Sequence, residues 1–166
     1  LELLPKIRQF TPAEPIVPVV SRPKKPASST KFFSPDLICI GCSTGGPEAL
    51  RQVFSSFKNS KGVPVLIVQH MPAMFTKQLA LSLDRLSDLT IKEAENGESL
   101  QKKHCYIAPG DHHMEIAGKP GGLTIKISQG PRVKEVRPAV EVLLKSVLGI
   151  CPSRTLVVSS RGWCCT

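Results

Sequence analysis

The stretch Leu37-Ile38-Cys39-Ile40-Gly41-Cys42-Ser43-Thr44-Gly45-Gly46-Pro47 decides the fold of this chain. An apolar run stops at a glycine-flanked serine, and a proline closes the segment. A short apolar run bounded by glycine reads as a strand buried on both faces, as in parallel sheets. Pro47 suits the first position of a helix, where its missing N–H costs nothing. Ser43 is therefore expected on a tight strand-to-helix turn, beside free backbone N–H groups and the positive end of a helix dipole. The spacing Gly41-x-Ser43-x-Gly45 is that of a nucleophile elbow, whose amides after the serine stabilise an oxyanion. The plainer use of Ser43 is to cap the helix that starts at Pro47.

Outward from this turn, strands and helices alternate. Leu37–Gly41 is the first strand, and Glu48–Phe57 is a helix with an apolar stripe of Leu50, Val53, Phe54 and Phe57. Val63–Val68 is a second buried strand whose end delivers Gln69 and His70. Met74–Leu86 is helical, with Leu79, Leu83 and Leu86 on one face. Thr90–Ala94 and Cys105–Ala108 are further strands. Met114–Ala117 and Leu123–Ser128 form a hairpin around Gly118, Gly121 and Gly122. Pro138–Leu148 is a helix with Val140, Leu143, Leu144 and Val147 inward, and Thr155–Val158 starts another strand. Alternating β and α units predict an α/β fold: a doubly wound, mostly parallel sheet with helices on both faces and a small β-hairpin.

Composition narrows the class. The 166 residues are 41% hydrophobic, enough for one domain with a real core. No run approaches the roughly 18 apolar residues of a membrane span, and no signal-like layout opens the chain. A cytoplasmic protein without membrane insertion is expected. Leu1 stands where a methionine would begin a gene product, so a longer reading frame upstream is expected. Residues 1–35 hold seven of the 15 prolines and read as an extended, semi-rigid linker. Nearly half of the formal charge of +9 lies there, from six basic side chains against Glu2 and Glu14, and the remainder is spread along the chain. One Trp and one Tyr offer little stacking, so no nucleic-acid partner is expected. Cys39-x-x-Cys42 has redox or zinc-ligand spacing, but Cys105 and Cys151 stand alone. The six cysteines read instead as small, mostly buried side chains in a reduced compartment, with no metal.

Functional residues of a doubly wound sheet collect at the C-terminal ends of its strands. Ser43 ends the first strand and His70 the second, and one βαβ step makes those strands neighbours. A hydroxyl beside an imidazole is the usual arrangement of an activated serine. The α/β-hydrolases are excluded by chain order, because their histidine comes late and here it follows the serine by 27 residues. A phosphate-binding use of Gly41–Gly46 is disfavoured, since no Lys follows the glycines and no Gly-x-Gly-x-x-Gly is present.

Gly41-Cys42-Ser43-Thr44-Gly45-Gly46-Pro47-Glu48-Ala49-Leu50, followed by Val68-Gln69-His70-Met71-Pro72 and Phe75, closely resembles the catalytic domain of chemotaxis protein-glutamate methylesterases. Ala94–Gly97, Tyr106–Gly110, His113-Met114 and Arg137–Leu143 extend the likeness over about residues 36–158. The resemblance implies hydrolysis of glutamate methyl esters on the cytoplasmic helices of methylated chemoreceptors, and deamidation of receptor glutamines. It implies no cofactor and no metal. It also implies a phosphorylatable receiver domain upstream, joined by a linker such as residues 1–35. Ser43 matches the family nucleophile, His70 its base, and Thr44 the residue whose backbone N–H helps bind the oxyanion.

One departure accompanies the match. The family's third triad member is an aspartate in a Leu-Thr-Gly-Met-Gly-x-Asp-Gly segment directly after a late apolar strand. Here Thr155–Val158 is followed by Ser159-Ser160-Arg161-Gly162-Trp163-Cys164-Cys165-Thr166, so the aspartate is absent. Ser159–Trp163 can be encoded by codons that, displaced by one base, read Val-Leu-Thr-Gly-Met. Residues 159–166 therefore read as an atypical tail, either a frameshift product or a naturally divergent C-terminus, and the catalytic domain is expected to be incomplete over 36–158. Asp111 and Glu115 near the hairpin and Glu141 on a helix are the other carboxylates to weigh, and none of them follows a late strand at the expected place. The competing reading is a non-catalytic receptor-binding remnant.

Overall fold

A computed structural model describes residues 34–58 and 61–159. The proline-rich segment up to residue 33 and the tail from residue 160 lie outside the described residues. The elements in chain order are β1 (Leu37–Cys42), α1 (Gly46–Ser56), β2 (Val65–Gln69), α2 (Ala73–Asp84), β3 (Thr90–Glu93) and β4 (His104–Ile107). They continue with β5 (His113–Lys119), β6 (Gly122–Ser128), α3 (Val140–Ile150) and β7 (Thr155–Ser159). Five strands form one parallel sheet in the order β3-β4-β2-β1-β7, and β5 and β6 form a separate antiparallel hairpin. The expected α/β architecture with its small hairpin is thus the observed one.

Strand alternation sends β1 and β2 side chains to two separate cores. Ile38, Cys42, Val65 and Ile67 meet Leu50 and Phe54 of α1 and Leu79, Ala80 and Leu83 of α2. Leu37, Cys39, Leu66 and Val68 meet Val140, Leu143 and Val147 of α3, together with Met114, Ile116 and Ile125 of the hairpin. Helices therefore cover both faces, and burial on both sides explains why these strands are continuously apolar. Tyr106 is buried within the second core because its hydroxyl is satisfied: it donates to Ser99 O and accepts from Gln101 N.

Three local expectations shift. The first helix begins at Gly46, so Pro47 is its second residue rather than its first. Val53 is 46% exposed although it belongs to the apolar stripe of α1. It borders a groove of about 250 Å³ between α1 and β7, together with Phe54, Phe57, Leu156 and Val158. Leu86 is 44% exposed, because α2 stops at Asp84 and the chain turns before the next apolar position can face inward. At the sheet edge Leu156, Val157 and Val158 of β7 are also exposed. Among the described residues no helix is long and apolar enough to cross a membrane.

Candidate active site

β1 and β2 run side by side in parallel, with Cys42 opposite Gln69 as their last register pair. The next residue on each strand is Ser43 and His70. The His70 backbone N–H donates to Cys42 O at 3.2 Å, which carries the ladder one step further and holds the two strand ends together. The sheet thus brings the two sequence-predicted residues to one rim.

After Ser43 the chain must reverse into α1. Gly45 makes this possible at φ +76°, a left-handed conformation that disfavours a side chain. The Gly46 N–H donates to Ser43 O at 2.9 Å and closes the turn. Gly45 is the cap residue of α1, and no side chain makes a capping hydrogen bond there. Capping by the Ser43 hydroxyl is therefore ruled out as the reason for a serine at this position. Thr44 is exposed in the turn, next to the positive end of the helix.

His70 is half-buried and opens onto a polar cleft of about 430 Å³ that Met71, Pro72, Asp111, Arg132 and Arg137 help to line. The β4–β5 turn fixes one wall of this cleft. A Cβ on Gly110 would lie 2.4 Å from the backbone N of Ala73, so turn and helix start are in direct backbone contact. The Gly110 N–H reaches Thr76 Oγ1, and that buried hydroxyl also bonds Glu93. The opposite wall, residues 129–139, is tied down twice. Arg137 donates from Nε and Nη2 to Asp111 Oδ1 at 3.1 and 2.8 Å, and from Nη1 to Gln129 O and Gly130 O. The Arg137 guanidinium hydrogen-bonded to it holds the Asp111 carboxyl below the ordinary carboxylate value. His113 is buried, accepting from Ala139 N–H at Nδ1 and facing Pro131 O from Nε2, which assigns it the neutral Nε2–H tautomer.

Burial holds the His70 imidazole below the ordinary histidine value, and the negative charge of Glu141 works against that shift. An imidazole kept neutral is suited to accept a proton. Of the three carboxylates considered, Asp111 is committed to Arg137 and Arg132, and Glu115 pairs with Lys126 on the hairpin. Glu141, in the first turn of α3, pairs with Lys134 at 3.3 Å and is the one whose charge His70 senses. The cysteine spacing does not build a shared site: Cys39 and Cys42 belong to the cores on opposite faces of the sheet. Burial pushes the Cys39 thiol up to about 12, so it stays protonated. Among the described residues no group of three or more His, Cys, Asp or Glu is arranged to hold a metal ion.

Sequence reasoning passed over Gln69. It is 2% exposed, and its amide bonds the backbone carbonyls of both Ser43 and His70. The one available signal was a polar side chain ending an otherwise apolar strand.

Residues 38–159 match the family model described as CheB methylesterase. The chain belongs to the CheB methylesterase family. A Thermotoga maritima protein-glutamate methylesterase/protein-glutamine glutaminase is 40% identical over 167 residues, which cover 97% of this chain and 47% of that protein. A protein of the same description from Salmonella typhimurium is 48% identical over 114 residues, 69% of this chain and 32% of its own length. The chain therefore spans about half or less of the length of these relatives. The crystal structure of the Thermotoga maritima CheB methylesterase catalytic domain is similar at a TM-score of 0.72 and 39% identity, covering 76% of this chain and 67% of that one.

Proposed function

We propose that this chain carries the serine and histidine of a protein-glutamate methylesterase and glutaminase acting on chemoreceptors. The observation that carries the reading is the side-by-side position of Ser43 and His70 at the ends of adjacent parallel strands. In this reading the neutral His70 imidazole takes the Ser43 hydroxyl proton as Oγ attacks the γ-ester carbonyl. The oxyanion is met by the Thr44 backbone N–H at the start of α1. His70 returns the proton to the departing methoxide, and methanol leaves. Water then attacks the acyl-enzyme, His70 again acting as base, and the receptor glutamate is released. With glutamine the leaving group is ammonia. Residues 1–35 serve as the linker to an upstream receiver domain, and the protein works in the cytoplasm.

Directly after β7, residues 160–166 read Ser160-Arg161-Gly162-Trp163-Cys164-Cys165-Thr166 in place of the family's aspartate segment. In serine hydrolases the aspartate that orients the base and stabilises its imidazolium is worth roughly 10⁴ in turnover. This sequence is accordingly expected to hydrolyse slowly, and the receptor-binding remnant is the second reading that this departure favours. Release of methanol from a methylated receptor cytoplasmic fragment tests both. The comparison is between this chain, its Ser43→Ala variant and a version carrying the family's aspartate segment after β7. Ser43-dependent release that rises strongly in the restored version supports the esterase. Binding of the fragment with no Ser43-dependent release in either version supports the remnant.

A further inference from the structure

We propose that Gln69 is a positioning residue, an amide staple that joins the Ser43 turn to the His70 loop. The inference rests on the reading of those two residues as nucleophile and base. Gln69 is the last residue of β2, after four residues that are wholly apolar and buried. Its Nε2 donates to Ser43 O at 3.0 Å and to His70 O at 3.1 Å, so both amide protons are used on the two residues of the dyad. Those carbonyls belong to residues just past the last register pair of β1 and β2. The side chain thus continues the cross-strand bonding where the backbone ladder ends.

Core packing alone does not explain an amide at this position. Burying an unpaired amide group costs several kcal/mol in apolar surroundings, and an aliphatic side chain would fill the space without that cost. The neighbouring glycine is fitted to the amide as well. A Cβ on Gly46 would fall 1.9 Å from Gln69 Oε1, so the first residue of α1 has room for Gln69 only by lacking a side chain. Oε1 itself is buried without a hydrogen-bond partner, at the positive end of α1. Ser43, Gly46, Gln69 and His70 therefore form one packed unit in which strand ends, helix start and dyad share a single cross-link.

The test uses the full chain and its Gln69→Met variant, which keeps length and apolar volume but removes both donors. A fluorophosphonate probe reports the reactivity of Ser43: its P–F bond breaks as Oγ bonds phosphorus, fluoride leaving. The expected result is a maximal labelling rate lower by roughly 10- to 100-fold with the probe's half-saturation nearly unchanged, since misplacing reacting groups by about 1 Å costs on that order. An unchanged labelling rate in a folded Gln69→Met variant overturns the proposal. Hydrogen exchange of the parent's side-chain amides gives an answer that needs no variant and no turnover. Gln69 is expected to exchange far more slowly than the exposed Gln52, Gln78 and Gln101. Exchange as fast as theirs also overturns the proposal. A protected Gln69 beside a Ser43 that takes no phosphonate supports the staple and counts against the esterase reading.

Discussion

Adjacent glycines in the Ser43 turn should respond to alanine for different reasons and by different amounts. Gly45 has φ +76°, but a Cβ there would meet nothing within 4 Å. Gly45→Ala therefore costs only left-handed backbone strain of about 1 kcal/mol, reduced somewhat by the lower entropy of the unfolded chain. Gly46 lies in ordinary helical backbone, where alanine is favoured by propensity. Its Cβ would nevertheless sit 1.9 Å from Gln69 Oε1 and 2.8 Å from Cys42 Cβ. Relieving the first clash moves the amide by more than 1 Å and breaks its bonds to Ser43 O and His70 O. Two neutral hydrogen bonds at about 1 kcal/mol each, with overpacking of 1–3 kcal/mol, make a cost of roughly 3 kcal/mol. Urea unfolding measures it: at a slope of about 2 kcal/mol/M, the Gly46→Ala midpoint should fall by roughly 1.5 M and the Gly45→Ala midpoint by about a third of that. Most of the Gly46→Ala loss should disappear in a Gln69→Ala background, where the obstructing atoms are gone. A Gly46→Ala midpoint at or above that of Gly45→Ala, or a loss unaffected by Gln69→Ala, would refute the reasoning.

Ser43→Ala should leave the unfolding free energy in urea within about 0.5 kcal/mol of the parent, because its side chain makes no cap, while abolishing probe labelling and ester hydrolysis. His70 binds its proton less readily in the folded chain than in the unfolded one. Between its lowered native value and the ordinary histidine value the unfolded state holds more protons, so its contribution makes stability rise with pH across that window. Urea midpoints measured through that range should lose this slope in His70→Gln. An NMR titration of His70 should move to lower pH in Glu141→Gln, since the opposing negative charge is removed; an unmoved midpoint would show that Glu141 does not act on it. Arg137→Lys should cost about 1–3 kcal/mol in thermal unfolding, because an ammonium cannot span Asp111 and the Gln129 and Gly130 carbonyls as the guanidinium fork does.

Much of the fold, and the placing of two candidate site residues at one rim, were legible along the chain. Apolar runs of strand length alternating with amphipathic helices dictate a parallel sheet, and one βαβ step makes β1 and β2 neighbours. That is enough to bring Ser43 and His70 to one rim, because both lie one residue beyond paired strand ends. The Gly41-x-Ser43-x-Gly45 spacing already marked a tight turn, and the structure adds that Gly45 makes it in the left-handed conformation that a side chain resists. These features depend on short-range periodicity and local backbone sterics, which neighbouring residues alone determine. Val53 and Leu86 escaped the same logic: one borders a groove beside β7, and the other falls past the end of α2. The staple from Gln69, the latch between Arg137 and Asp111, and the charge of Glu141 on His70 were decided only in three dimensions. Each links groups on different turns, and a polar side chain shows its partner only once the chain has closed that distance in a site where leaving the group unpaired is costly.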